Sequence, residues 1–165
     1  MKENFIKMMR TLVYPVCIVS AKSNNNKYAI TVSSVTSVSL DPPSLLVCIN
    51  RSSSITDALH IGGRLNLNFL APAQKEIASI CSSKENKNKR FDNDLWAIDV
   101  NNTPFLEGSN AIAFSKIADI VEHETHIIVI VYVDRIIAND LGQRDPLLYC
   151  NGSYMSKGLS GLEST

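Results

Sequence analysis

Short β-rich runs separated by turn residues recur along the whole chain and limit its fold more than any other feature of the sequence. Two of them, residues 16–21 and 27–40, flank a Ser-Asn-Asn-Asn turn. Further runs cover residues 45–49, 65–70, 111–121, 127–137 and 147–149. Short strands joined by turns, with few helical segments between them, favour a mainly β barrel over an alternating parallel sheet.

A few short helices are expected around this barrel. Residues 4–12 carry apolar side chains at helical spacing, and Pro72 suits the first turn of a second helix in which Ile77, Ile80 and Cys81 share one face.

Two polar patterns in the sequence predict side chains that are exposed to solvent. In residues 65–70 leucine and phenylalanine alternate with asparagine, as in a half-buried strand, and residues 82–94 are lysine-rich and predict a mobile surface loop.

Size and charge narrow the possible functions. With 165 residues a single domain is expected, and sixteen basic residues balance sixteen acidic ones, so no overall field attracts nucleic acid or anionic lipid. The charged fraction of 19 % is low, which suggests that part of the surface is buried in an oligomer.

The sequence predicts a cytoplasmic protein. Its richest apolar run, residues 127–133, is far shorter than the roughly 20 residues of a membrane span, and residues 1–10 lack the pattern of a signal peptide. Four cysteines are widely spaced, without a CxxC pair, and are interpreted as reduced core thiols.

Residues 31–39 place small hydroxyl side chains on both sides of one predicted strand. Small side chains would let a flat polar ligand approach the backbone and bond to its free N–H and C=O groups. A solvent-facing edge strand has the same composition, so the residues alone leave both interpretations open.

Three consecutive serines, Ser52, Ser53 and Ser54, precede a short predicted helix. Their hydroxyls and the unpaired N–H groups of the first turn could hold a phosphate, with Arg51 and Arg90 adding positive charge. An ordinary helix cap beside a solvated arginine is the alternative, and by itself the pattern favours it.

His123 and His126 lie in a Glu-His-Glu-Thr-His segment that is one residue too short for the HExxH zinc motif. The segment precedes an apolar β run, and on a strand residues three apart face opposite sides. His123 and His126 are therefore expected on opposite sides, where they could not share a metal ion, so no metal site is predicted. The pattern alone favours a structural or exposed His126 over a catalytic one. GxSxG, GxGxxG and Walker sequences are all absent from the chain.

The order of several short motifs resembles the short-chain flavin reductases, the reductase components of two-component flavin monooxygenases, and among them those of the 4-hydroxyphenylacetate 3-monooxygenases. The motifs are residues 31–39, 41–50, 67–70 with Gln74, Arg90-Phe91, Trp96, 104–108, Thr125-His126, 146–149 and 152–154. No single motif is specific, but the ordered set covers nearly the whole chain.

This resemblance implies an FMN-binding split β-barrel that forms a homodimer and reduces FMN or FAD with NADH or NADPH, passing reduced flavin to a transient monooxygenase partner. The protein would position the two rings and supply no catalytic side chain of its own, because hydride passes directly between them. The flavin-binding residues implied by the resemblance are Thr31, Ser33, Ser34, Val35, Thr36, Ser37, Asn50, Arg51, Ser52, Ser53, Ser54 and Arg90. His126 and Tyr154 would lie beside the nicotinamide.

Some features depart from the family pattern or leave alternatives open. Ala29 stands where many relatives have glycine, and Glu124-Thr125 replaces Gly-Asp before the histidine, so flavin and nucleotide preference stay open. The same barrel also occurs in proteins that bind flavin without oxidising a nicotinamide. A third alternative is an enzyme like the pyridoxamine-phosphate oxidases, which have a related barrel. It would need a basic phosphate clamp, and the sequence does not supply one. The predicted domain covers residues 1–157, followed by a disordered tail over residues 158–165.

Overall fold

The computed structural model describes residues 1–139 and 144–156. The predicted tail and the domain boundary at residue 157 lie outside them. The Asn-Asp-Leu-Gly sequence of residues 139–142 predicts a turn, most of which also lies outside them. In chain order the elements are α1 (Lys2–Arg10), β1 (Tyr14–Pro15), β2 (Cys17–Ser23), β3 (Asn26–Val32), β4 (Val35–Leu40), β5 (Pro43–Asn50), a 3-10 turn (Ser54–Ala58), β6 (Arg64–Phe69), a second 3-10 turn (Pro72–Gln74), α2 (Lys75–Ser82), a third 3-10 turn (Lys87–Lys89), β7 (Trp96–Ile98), β8 (Pro104–Leu106), β9 (Ala111–His123), β10 (His126–Ala138), β11 (Leu147–Cys150) and β12 (Ser153–Ser156).

A seven-stranded antiparallel sheet in the order β3-β2-β6-β9-β10-β5-β4 forms the body of the fold. Its two edge strands, β3 and β4, follow each other in the chain with only Ser33 and Ser34 between them. Two residues span roughly 10 Å at most, so the edges must approach each other and the sheet curls into a barrel. The predicted mainly β barrel with a few peripheral helices is confirmed.

The predicted single strand over residues 27–40 is wrong, because the chain turns at Ser33 and Ser34. β3 pairs with β2, whereas β4 pairs with β5 at the other edge of the sheet. The Ser34 hydroxyl donates a hydrogen bond to the Cys48 carbonyl on β5 at 2.8 Å. This bond holds the corner at which the chain leaves one edge and joins the other.

Two hydrophobic cores lie on the two faces of this sheet. The first fills the barrel with inward-facing residues such as Val19, Val47, Leu67 and Val129. The second lies outside, where Ile18 and Ala29 pack against Ile77, Ala78 and Cys81 of α2. The outer core fixes α2 across one end of β3, and the candidate site forms there.

Asn66 and Asn68 are not exposed as the alternating pattern predicted, because the β7–β8 hairpin and outer core cover that face of β6. Both side chains are fully buried and hydrogen bonded. The Asn68 amide donates to the Ile18 carbonyl at 2.8 Å, and its oxygen accepts the Leu106 N–H at 2.8 Å. Buried amides of this kind join strands by satisfying backbone groups that water cannot reach.

The loop after α2 is anchored to the rest of the fold, so the prediction of a mobile surface loop over residues 82–94 is wrong. Arg90 is only 6 % exposed and donates to the carbonyls of Ala29 at 2.7 Å and Ser83 at 2.8 Å. The Trp96 indole N–H donates to the Arg90 carbonyl at 2.7 Å, and its ring packs on Phe91. Composition misled here because these bonds hold in the interior a guanidinium that a hydropathy pattern treats as exposed.

α1 has the predicted amphipathic pattern but buries none of its side chains within the chain. Phe5, Ile6 and Met8 are among its exposed apolar residues. Among the described residues, no helix has both the length and the apolar character needed to cross a membrane.

Candidate functional site

Three adjoining cavities run beside the end of β3, between α1, α2 and the loop after β5. The first, the Ser52 cavity, has a volume of about 430 Å³ and is lined by Ile30, Asn50, Ser52, Ser53, Ser54, Cys81, Ser82, Lys84, Lys87 and Arg90. The second, the Tyr154 cavity, has about 490 Å³ and is lined by Val16, Thr31, Val32, Ser33, Lys75, Ser82, Tyr149, Gly152, Ser153 and Tyr154. The third, the Phe5 cavity, has about 370 Å³ and lies between α1, Ser33, Ser34 and residues 149–152. Ser82 is common to the first two cavities and Ser33 to the last two, so together they form one groove.

The serine loop is shaped by its own backbone and leaves two hydroxyls free. The Asn50 side-chain oxygen accepts the Ser52 N–H at 2.9 Å, and the Asn50 carbonyl accepts the Ser53 N–H at 3.0 Å. Ser53 occupies the cap position of the 3-10 turn without a side-chain cap bond. Within the described residues, neither the Ser53 nor the Ser54 hydroxyl has a hydrogen-bond partner, so both are available to a ligand.

The helix predicted after these serines is a 3-10 turn of five residues. So short a turn contributes little dipole, and the predicted help from a helix N-terminus is therefore small. Positive side chains around the cavity supply the attraction for a phosphate instead. Lys84, Lys87 and Arg90 all line the cavity, and no carboxylate does. The Lys84 ammonium also donates to the Ser52 hydroxyl oxygen at 3.2 Å.

Arg90 stands at the base of this cavity with an unsatisfied donor. Its two terminal nitrogens are held by backbone carbonyls, but its Nε is buried without a hydrogen-bond partner. A buried N–H without a partner costs about 1 to 3 kcal/mol, which an acceptor in the cavity would recover. Hydroxyls on one wall and cations on the other make the Ser52 cavity suited to a phosphate group.

The nearest carboxylate in sequence, Glu85, is not part of this wall. The Ser83 hydroxyl donates to Glu85 and lowers the pKa of its carboxyl, so that group stays ionised and bonded within its own loop.

The Tyr154 cavity has fewer charged side chains in its lining and has an aromatic wall. Tyr149 and Tyr154 pack edge to face with ring centroids 5.4 Å apart. Burial raises the pKa of Tyr154, so its phenol stays protonated and can donate a hydrogen bond at neutral pH. Thr31 lines the same cavity, and its hydroxyl donates to the Ala78 carbonyl at 2.7 Å, which ties β3 to α2.

The thiol that lines the Ser52 cavity is not activated. Cys81 lines the Ser52 cavity, but burial raises its pKa to about 12, so at neutral pH it is a neutral thiol. A thiol in that state is a poor nucleophile. All four cysteines are free, as the sequence predicted.

The predicted flavin wall over residues 31–37 is divided between different environments. Thr31 and Ser33 line the groove, and Ser34 lines the Phe5 cavity although its hydroxyl is bonded to Cys48. Val35 packs against the barrel core. The two remaining residues, Thr36 and Ser37, are exposed on the edge strand β4 and line none of the three cavities.

Arg51 is directed away from the cavity predicted to use its charge. Its guanidinium bonds to Glu122 at 2.8 Å, near the β9–β10 turn. The Arg51 N–H also donates to the Thr125 carbonyl at 3.0 Å. These two bonds fasten the serine loop to that turn.

His126 opens β10 and is exposed, with its Nδ1 2.9 Å from the Thr125 hydroxyl oxygen. It stands opposite Asn50 on one side, which brings it next to the Ser52 cavity without lining it. Tyr154 lines the neighbouring cavity, so no single cavity contains both predicted nicotinamide residues.

The predicted placement of His123 on the opposite side from His126 is wrong. The two histidines end and begin different strands and are directly paired across the β9–β10 hairpin. Directly opposed residues of antiparallel strands project to the same face, so the parity argument does not apply. Within residues 1–139 and 144–156, no cluster of three metal-ligating side chains is found.

Sequence reasoning missed several residues that line these cavities. Lys84 and Lys87 carried a signal, the lysine-rich segment, which was interpreted as solvated. Ser82 and Lys75 gave none, because their position at the groove depends on how α2 packs against β3.

Comparison with known proteins assigns the chain to a class. Residues 9–158 match the family described as flavin reductase like domain. The chain belongs to this family, which confirms the resemblance found in the sequence.

Individual relatives agree with this class. FMN reductase (NADH) RutF of Stutzerimonas stutzeri is 29 % identical over 153 residues, covering 93 % of this chain and 87 % of its own. The reductase component of the FADH(2)-dependent resorcinol hydroxylase of a Rhizobium species is 28 % identical, covering 98 % of this chain and 90 % of its own. The crystal structure of a flavin reductase domain protein from an Arthrobacter species superimposes with a TM-score of 0.88 at 26 % identity, covering 99 % of both chains.

Proposed function

We propose that this protein is an NAD(P)H:flavin oxidoreductase that reduces FMN or FAD and supplies the reduced flavin to a partner monooxygenase. One observation carries the proposal: a phosphate-binding end with free hydroxyls and three cations opens into a wider, aromatic-walled cavity. A flavin mononucleotide has the same division between an anionic end and a flat ring. The relatives named as an FMN reductase and as a hydroxylase reductase component support the reaction and the partner.

The chain's residues have separate tasks in this reaction. Ser53, Ser54 and Arg90 bind the flavin phosphate, while Thr31 and Ser33 border the space for the ring. His126 and Tyr154 border the nicotinamide, with Tyr154 offering a protonated hydroxyl. When the two ligands are bound, hydride passes from nicotinamide C4 to flavin N5. The protein's contribution is to hold the rings in contact, and for that it needs no nucleophile.

Oxidation of NADH and of NADPH should be followed at 340 nm with FMN, FAD, riboflavin or no added flavin. We expect flavin-dependent oxidation of at least one nucleotide, with FMN or FAD preferred over riboflavin because only they carry phosphate. Flavin binding without oxidation of either nucleotide would instead identify a flavin-binding protein of the same fold.

A homodimer is part of this proposal. Exposed apolar side chains on α1 and at Leu40, 90 % exposed, and Val100, 94 % exposed, offer surface that association would cover. Sedimentation equilibrium should therefore give about twice the 18.2 kDa chain mass. A monomer at every concentration that still reduces flavin would contradict the dimer while leaving the reaction intact.

We also place the protein in the cytoplasm. Its four free cysteines suit a reducing compartment, and two of them, Cys17 and Cys81, are buried.

A further inference from the structure

Four positive side chains stand in a row across four neighbouring strands on the outer face of the barrel. Lys27 on β3 is paired directly with Lys22 on β2, and Arg64 on β6 is paired directly with Lys116 on β9. The β2–β6 ladder ends at the pair of Ser20 and Asn66, and Lys22 and Arg64 each lie two residues beyond that pair and line the same cavity. Directly opposed like charges destabilise a sheet. Negative charge next to this row would reduce the repulsion between its cations.

The protein's own carboxylates balance this row only in part. Arg64 forms an ion pair with Asp134 at one end. Lys27 lies over the Phe91 ring, with its ammonium 5.8 Å from the ring centroid. In the portion of the chain that the structure describes, neither Lys22 nor Lys116 forms an ion pair.

The nearby Asp99 is already bonded to other groups. Its Oδ1 accepts the N–H groups of Asn101 and Thr103, at 2.8 and 2.9 Å, and its Oδ2 accepts from the Asn66 amide at 3.0 Å. These bonds hold the carboxylate in the β7–β8 loop.

A polar cavity of about 340 Å³ opens at the centre of the row. It is lined by Lys22, Asn24, His60, Gly62, Gly63, Arg64, Asn101, Asn102 and Thr103. No carboxylate lines it, and it shares no residue with the three cavities of the flavin groove. Lys116 borders it, since a Cβ added to Gly62 would lie 3.7 Å from its Cε.

The glycines keep the cavity open and hold the loop in place. Gly62 has a positive φ of 84°, which disfavours any side chain, and a Cβ on Gly63 would meet the His60 carbonyl at 2.9 Å. The Gly62 N–H donates to the Ile117 carbonyl and the Gly63 carbonyl accepts the Ile117 N–H, both at 2.8 Å. The loop is thereby bonded to β9 one residue beyond Lys116.

We infer that this cavity, the Lys22 cavity, binds a diphosphate group, free or carried by a nucleotide, at a site separate from the flavin groove. Lys22 and Arg64 face the cavity from adjacent strands, and Lys116 reaches it from the next. Asparagine amides and a threonine complete the polar lining. A diphosphate fits better than a single carboxylate, because it carries more than one negative charge and has oxygens at both ends for cations on different strands.

Isothermal titration with inorganic pyrophosphate, and separately with ADP, tests this site. The titrated protein carries Ser53→Ala and Ser54→Ala, which weaken phosphate binding in the Ser52 cavity, and the lysine variants below are compared with it as their parent. We expect Lys22→Gln and Lys116→Gln each to weaken binding of at least one probe by about tenfold, because each removes a charge-assisted contact. Lys7→Gln on α1 removes the same charge at a distance and is expected to leave binding unchanged.

Thermal unfolding gives a second, independent readout. Without pyrophosphate, Lys22→Gln should unfold at a higher temperature than its parent, because it relieves the repulsion between opposed cations. Pyrophosphate should stabilise the parent more than sodium chloride of equal ionic strength, and that extra gain should be lost in Lys22→Gln. No heat with either probe, or binding that neither lysine variant weakens, would overturn the inference.

Discussion

Removing two hydroxyls from the serine loop, with Ser53→Ala and Ser54→Ala together, is expected to weaken FMN binding by about 1 to 3 kcal/mol, at least about fivefold in Kd. Both hydroxyls face the Ser52 cavity without a partner among the described residues. In the proposed complex they donate to a charged phosphate, and such bonds are among the stronger hydrogen bonds in proteins. Fluorescence titration of FMN measures the loss.

Riboflavin provides the matched control, because it has the ring and ribityl chain without the phosphate. Its affinity should change little in the same double variant. The unfolding temperature should also be unchanged, since Ser53 makes no side-chain cap bond that alanine would remove. Equal losses for FMN and riboflavin would show that these serines shape the loop and do not bind phosphate.

His126→Ala is expected to raise the KM for NADH and to lower kcat, with a loss in kcat/KM of about tenfold or more. The imidazole lies beside the Ser52 cavity, opposite Asn50, where it can limit the position of a nicotinamide stacked on the flavin. Hydride transfer needs ring contact at about 3 to 3.5 Å, and small displacements are costly. Steady-state kinetics give KM and kcat, and fluorescence gives flavin affinity, which should barely change.

His123 does not serve as the neutral control for this experiment, since it faces the same side of the hairpin as His126. Glu124→Gln is better matched, because it alters the turn beside His126 and leaves the imidazole in place. Thr125→Val should reproduce part of the loss, as it removes the hydroxyl next to Nδ1. Wild-type constants for His126→Ala would require the nicotinamide assignment to be withdrawn.

Much of the proposed phosphate site could be predicted because its serines are consecutive in the chain. Ser52, Ser53 and Ser54 with Asn50 form one loop after a strand, and local backbone bonds shape it. Arg90 was also predicted, but only the structure shows its burial and its unpaired Nε. That burial depends on carbonyls of Ala29 and Ser83, and a contact with a residue so distant in the chain leaves no periodic signal.

Several errors came from treating neighbours in the chain as neighbours on one strand. The uniform composition of residues 31–39 concealed the corner at Ser33 and Ser34, where the chain passes from one edge of the sheet to the other. The same assumption misplaced His123, which belongs to a different strand from His126. Turns inside polar or small-residue segments carry little hydrophobic contrast, so side-chain period alone does not locate them.

By itself the sequence determined the class of fold, the family and the position of the serine loop, because strand periodicity and short motifs are local properties of the chain. Tertiary structure alone decided which cations surround that loop, how three cavities join at Ser33 and Ser82, and that Lys22 lines the same cavity as Arg64, which is paired with Lys116. Closure of the barrel sets these relations. Strand order brings together side chains from distant parts of the chain, and no single segment of the sequence specifies that order.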